Sequence, residues 1–116
     1  MRTFAQDNPN MSQEIYVLIG ENVRKEREKL GINQVELGNR VKFNRSSISN
    51  IEKGKQKTPI HVLYRIAKEL QVDVRDFLPS QNEIEQVLSN EDKRLRGLYE
   101  KHGQGMSYDE FIKLFN

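Results

Sequence analysis

Residues 33–54 read NQVELGNRVKFNRSSISNIEKG, and the spacing of capping and apolar positions within them decides the fold. Asn33 precedes Glu36 by three, so its side chain can take the orphan amides at the start of a helix that continues through Leu37 to Val41. Lys42, Phe43 and Asn44 interrupt that helix, and Asn44 is the next good N-cap. A second helix is expected over Arg45 to Lys53, with Ser47, Ile48 and Ile51 facing inward. Gly54 is placed to end it in a left-handed conformation. Two short helices joined by about three residues are what a helix-turn-helix requires.

Working outward, Ile15, Leu18, Ile19 and Val23 recur at helical spacing and Gly31 is a stop, which predicts a helix over about 13–29. Residues 1–12 have no periodicity and hold the turn-prone Asn8, Pro9 and Asn10, so a flexible arm is expected there. Downstream, Thr58 followed by Pro59 is a start signal with proline at the first helical position, for a helix carrying Leu63, Ile66, Ala67 and Leu70. Asp73 opens a fifth short helix with Val74, Phe77 and Leu78, and Pro79 closes the module.

Ser80, Gln81 and Asn82 then read as a short polar linker. Ile84, Val87 and Leu88 form one apolar cluster and Leu95, Leu98 and Tyr99 another, with a helix break expected at Ser89 or Asn90. His102 to Gly105 reads as a loop, and Ser107 with Glu110 as a capping box for a last helix through Phe115. Strand-like alternation of useful length is absent. The expected architecture is all-α: a five-helix domain over residues 13–79 and a helical C-terminal extension over 80–116.

The composition narrows the chemistry. A chain of 116 residues can bury one small core, and its 35% hydrophobic and 31% charged residues suit a helical domain with solvated faces. With no cysteine there are no disulfides, thiolate metal sites or thiol catalysis. His61 and His102 are far apart, and no nucleophile has a base nearby, so neither an enzyme nor a cofactor or metal site is expected. Aligning Glu110 with the last ligand of a calcium loop puts Tyr99, Lys101 and Gly103 at the first ligand positions, which excludes that chemistry. The longest apolar run, Ile15 to Ile19, is far short of the roughly 20 residues of a membrane span. A cytoplasmic protein with no membrane partner is the expectation.

The net charge of +2 conceals an uneven distribution: residues 13–79 carry +4 and residues 80–116 carry −2. Across positions 40–57, Arg40, Lys42, Arg45, Lys53, Lys55 and Lys57 stand against Glu52 alone. Such a block is either a solvated face or a footprint for nucleic-acid phosphates. The expected outward face of the second helix, Arg45, Ser46, Ser49 and Asn50, favours the footprint. Arginine pairs bidentately with guanine, asparagine with adenine, and serine adapts to either.

The chain resembles the phage repressor and Cro type of helix-turn-helix family, often called Xre-like, over residues 15–79. The resemblance rests on Val23-Arg-Lys-Glu-Arg27, Leu30-Gly-Ile-Asn-Gln34, Glu36-Leu37, Ser47-Ile-Ser-Asn-Ile-Glu-Lys-Gly54 and the apolar series from Leu63 to Leu78. It implies a regulator, most often a repressor, that binds double-stranded operator DNA as a homodimer on a palindromic site. It also implies base contacts from Arg45, Ser46, Asn50 and Ser49, and phosphate contacts from Gln34, Asn44, Lys53, Lys55 and Lys57, with Lys42 a further phosphate candidate. Arg27 and Glu52 match a family ion pair that sets the tilt of the recognition helix.

Three positions depart from the family pattern. Lys42 and Gln71 stand where glycine is common, and Gly38 replaces an alanine, which permits close approach of the second helix. The extension is too small to fold alone, so its apolar stripes cover the same chain, a second copy, or a protein partner such as a toxin held by an antitoxin.

Overall fold

The computed structural model describes residues 9–114, in which helices joined by short turns and loops make up the fold, with no strand among the described residues. The elements are α1 (Pro9–Leu30), α2 (Gln34–Val41), α3 (Arg45–Glu52), α4 (Ile60–Leu70), a 3-10 turn (Val74–Phe77), α5 (Gln81–His102) and α6 (Tyr108–Lys113). They form two compact units: residues 13–79, and residues 80–114 together with 9–12. Among the described residues no helix is long and apolar enough to cross a membrane.

In the first unit, the inward stripe of α1 runs Ile19, Val23 and then Arg27, one residue per turn. The first two enter a core whose fully enclosed members include Leu37, Ile48, Ile66 and Phe77. Each such side chain contributes about 1.5–3 kcal/mol by leaving water. α4 buries Val62, Leu63, Ile66, Ala67 and Leu70 on one face, the i, i+3, i+4 spacing of an amphipathic helix. The amide of Asn22 in α1 reaches the Phe77 carbonyl at 3.1 Å and ties the end of the unit to its first helix.

Several boundaries differ from expectation. α1 begins at Pro9, so residues 9–12, expected in a flexible arm, are helical, while residues 1–8 lie outside the described residues. Proline suits the first turn of a helix, where its missing amide has no partner to lose. α3 ends at Glu52, with Lys53 as its cap. Pro59 caps α4 from outside rather than occupying its first position, because its ψ of 147° is extended and helical geometry starts at Ile60. The fifth helix is a single 3-10 turn closed by a reciprocal box between Asp73 and Asp76.

In the second unit, α5 is continuous through Ser89 and Asn90, the expected break, and Ser80 is its N-cap rather than linker. Its side chain accepts from the Glu83 amide while Glu83 reaches back to the Ser80 amide. Val87, Glu91 and Leu95 are buried at four-residue spacing, so the stripe runs straight through the polar stretch on the far face. The buried Glu91 carboxylate accepts from Arg94 at 2.5 Å. Ser107 caps α6, which ends at Lys113; Phe115 lies outside the described residues. Tyr99 meets Tyr108 and Phe111 edge-on, with ring centres 5.4 and 5.5 Å apart, and its hydroxyl donates to the Met106 carbonyl.

Candidate nucleic-acid interface

The turn between α2 and α3 sets the direction of α3. Asn33 caps α2 by accepting from the Glu36 amide at 2.8 Å, and Asn44 caps α3 by accepting from the Ser47 amide at 2.7 Å. Between them Lys42 adopts a left-handed conformation with φ 65° and ψ 37°. Glycine adopts that conformation freely, whereas lysine is strained in it by about 1 kcal/mol. Gln71 ends α4 in the same way, with φ 61°. Gly38 leaves space for this turn: a Cβ there would lie 2.4 Å from the Phe43 carbonyl oxygen, and next 3.5 Å from Ile48 of α3. The close approach is therefore first to the turn backbone and second to the helix behind it.

Behind α3 lies a buried charged network. The Arg27 guanidinium donates from Nε to Glu52 Oε2 at 2.6 Å and from Nη2 to Glu52 Oε1 at 3.0 Å. Its Nη1 donates to the Ile32 carbonyl at 2.8 Å. The hydrogen bond to Glu52 holds the Arg27 pKa above its ordinary value and outweighs the burial that works the other way. Gln34, at the start of α2, donates from Nε2 to Glu52 Oε1 at 3.1 Å. One carboxylate near the end of α3 thus collects α1 and α2, the fork-to-fork geometry that arginine allows and lysine does not.

Two further contacts fix the C-terminal end of α3. Gly20 brings α1 against it so closely that a Cβ would fall 2.3 Å from the Ile51 carbonyl oxygen and 2.6 Å from that of Glu52. Gly54 follows with φ 70°, and its carbonyl accepts from the Gln13 amide at 2.8 Å. At the other end of the turn, Arg65 of α4 donates to the Val41 carbonyl at 2.7 Å and lies 5.6 Å from the centre of the Phe43 ring. Gly20 and Arg65 were not singled out in the sequence. Their partners are backbone atoms or residues distant in the chain, and no local pattern points to them.

On the surface side of α3, Arg45 and Ser46 are exposed, Ser49 and Asn50 half-buried, and Ser47 half-buried toward the core face of Ile48 and Ile51. Lys42, Lys53, Lys55 and Lys57 are all exposed, and no ion pair among the described residues engages any of them or Arg45. Gln34 is half-buried, one amide hydrogen being committed to Glu52, and the cap of Asn44 uses its oxygen while its amide nitrogen stays a donor. Arg45, Ser46, Ser49 and Asn50 thus sit on a helix held from behind by Arg27, Gln34 and Gly20, with cations at the turn before it and the loop after it.

Residues 23–77 match the helix-turn-helix family model. Among solved structures the chain is similar to the restriction-modification controller protein C.AhdI from Aeromonas hydrophila, 21% identical over 57% of this chain and 96% of that one, with a TM-score of 0.55. It is similar too to the hypothetical transcription factor NHTF from Neisseria, at 21% identity over 66% and 87% with a TM-score of 0.55. The clp gene regulator ClgR from Corynebacterium glutamicum is 19% identical over 78% of this chain and 96% of that one, with a TM-score of 0.55. At these identities the likeness is one of fold. No curated protein matches the chain. Residues 23–77, within the segment where the sequence resembles the Xre/Cro type, are thus similar to the helix-turn-helix family.

Proposed function

We propose that the protein is a sequence-specific repressor that binds a palindromic operator as a homodimer, with α3 of each copy in the major groove. The observation that carries this reading is the outer face of α3: Arg45, Ser46, Ser49 and Asn50 reach outward while Glu52 on the inner face is locked to Arg27 and Gln34. In this reading Arg45 and Asn50 take bidentate pairs with bases, and Ser46 and Ser49 adjust to their neighbours. Gln34, Lys42, Asn44, Lys53, Lys55 and Lys57 hold phosphates and set register without reading sequence.

Dimerisation follows from how little one short helix can read. Eight residues reach few base pairs, and two copies on half-sites about 34 Å apart double the readout. The test is sedimentation of the protein with a duplex bearing its selected site. Two chains per duplex, and one chain on a half-site bound far more weakly, are expected; a single chain bound with full affinity would overturn the dimer. Repression is tested by transcription in vitro from a promoter overlapping that site: added protein lowers it, and a rise would overturn the assignment.

A second reading draws on the extension, whose compact unit leaves Leu88 43% and Leu114 67% exposed. There the extension binds a protein partner and DNA binding serves autoregulation. A stoichiometric partner that copurifies with the chain and is lost in Leu88→Ser/Leu114→Ser would favour it, and a clean homodimer would argue against it.

A further inference from the structure

A cleft of about 220 Å³ lies between the C-terminal end of α2 and α4, lined by Arg40, Val41, Lys42, Arg65, Lys68 and Glu69. Arg40 is committed: it pairs with Glu36 at 2.9 Å and donates to the Glu69 carbonyl at 3.3 Å. Arg65 spends one Nη2 hydrogen on the Val41 carbonyl, and with its guanidinium against Phe43 it keeps Nε and Nη1 as donors. Lys42 and Lys68 are exposed, and no ion pair among the described residues engages either. With Arg40 paired to Glu36, the lining holds three further cations, Lys42, Arg65 and Lys68, and one acidic residue, Glu69.

Helix ends account for only part of this. Arg40 and Lys68 stand in the last turns of α2 and α4, where cations answer the helix dipole. Arg65 sits in the middle of α4. Lys42 lies beyond α2 in a backbone conformation that glycine would adopt without strain. The turn that holds Lys42 also carries Asn44 and leads directly into Arg45, so the cleft continues the basic surface past the N-terminal end of α3.

We propose that this cleft is an additional phosphate-binding site of the DNA interface, in which Lys42, Arg65 and Lys68 hold a backbone phosphate flanking the bases read by α3. The proposal rests on the DNA-binding reading and extends it to α4, where Arg65 and Lys68 gain a role. Arg65 supplies a planar donor fork fixed by Val41 and Phe43, while the two lysines act as point charges.

The experiment is the salt dependence of binding by the full chain, measured on the selected operator and on a random duplex of equal length. Neutralising one phosphate contributes about 0.9 to the slope of log affinity against log salt. Arg65→Gln/Lys68→Gln is expected to lower the slope by about that amount on both duplexes and to weaken both by the same factor. Arg65→Lys, which keeps the charge, should preserve the slope. Lys68→Gln alone separates charge from folding, because Lys68 makes no side-chain bond that its loss would break, and it should lower the slope in part. An unchanged slope in the double variant, with wild-type binding still salt-dependent, overturns the cleft while leaving the DNA reading intact. Loss of affinity in Arg65→Gln with no slope change in Lys68→Gln also overturns it, reducing Arg65 to a brace for the turn. Saturable binding of inorganic phosphate at the cleft amides by NMR, with unchanged slopes, assigns the site to a free anion and overturns it too. A wild-type chain that binds no duplex would instead sink the DNA reading itself.

Discussion

Arg45 opens α3 with an exposed guanidinium that no described side chain engages, so its donor fork is available for a guanine edge. Arg45→Ala should weaken operator binding by about 1–3 kcal/mol and relax selectivity at one base pair, whereas Lys55→Ala should weaken every sequence alike. Titration of operator and random duplexes at one salt concentration separates the two; equal loss on both for Arg45→Ala would remove it as a base reader. Lys42 sets stability against binding. Lys42→Gly should raise the unfolding free energy by up to about 1 kcal/mol in denaturant titration while lowering affinity for all duplexes. A destabilised glycine variant would show that the left-handed turn is not strained. The special position of Lys42 was legible because it follows a capped helix where glycine is common. Arg65 was not legible, since an arginine in mid-helix reads as solvated until the Val41 carbonyl is seen 2.7 Å away.

At the scale of elements, α3 is held from behind by a network buried in the first unit. Removing one partner leaves the other charge enclosed, so Arg27→Ala should cost about 3–5 kcal/mol in denaturant unfolding. The apolar double variant Arg27→Met/Glu52→Leu should recover most of that loss, because the desolvation of both charges disappears together. Its DNA affinity should stay reduced, since Gln34 loses the carboxylate that holds it. Full recovery of affinity would show that the network serves stability alone. Gly20→Ala should destabilise by about 1–3 kcal/mol through its clash with the Ile51 and Glu52 carbonyls. The limits of α2 and the caps Asn33 and Asn44 could be read from the chain because capping is local chemistry. The unbroken course of α5 could not, because Ser89 and Asn90 are weak helix formers whose preference yields to the buried stripe of Val87, Glu91 and Leu95. Gly20 was silent for a related reason: its need is created by Ile51 and Glu52 of α3, distant in the chain.

For the whole molecule, the modest net charge is less informative than where the charge lies. The cations of residues 40–57 stay exposed around the turn and the end of α3, and the acidic extension lies, with residues 9–12, in a separate compact unit. Of the apolar stripes expected there, Val87, Leu95 and Phe111 are buried and Ile84, Leu98 and Tyr99 half-buried, while Leu88 and Leu114 are exposed. The proposed function requires a firmly braced α3 to read bases in a two-fold arrangement. Selection of bound sites from random DNA at controlled salt tests it most directly. Enrichment of a two-fold symmetric site with half-site centres about 10–10.5 base pairs apart, or a multiple of that spacing, is predicted. Binding that enriches no sequence over the starting pool, with equal affinity for every duplex, would contradict it.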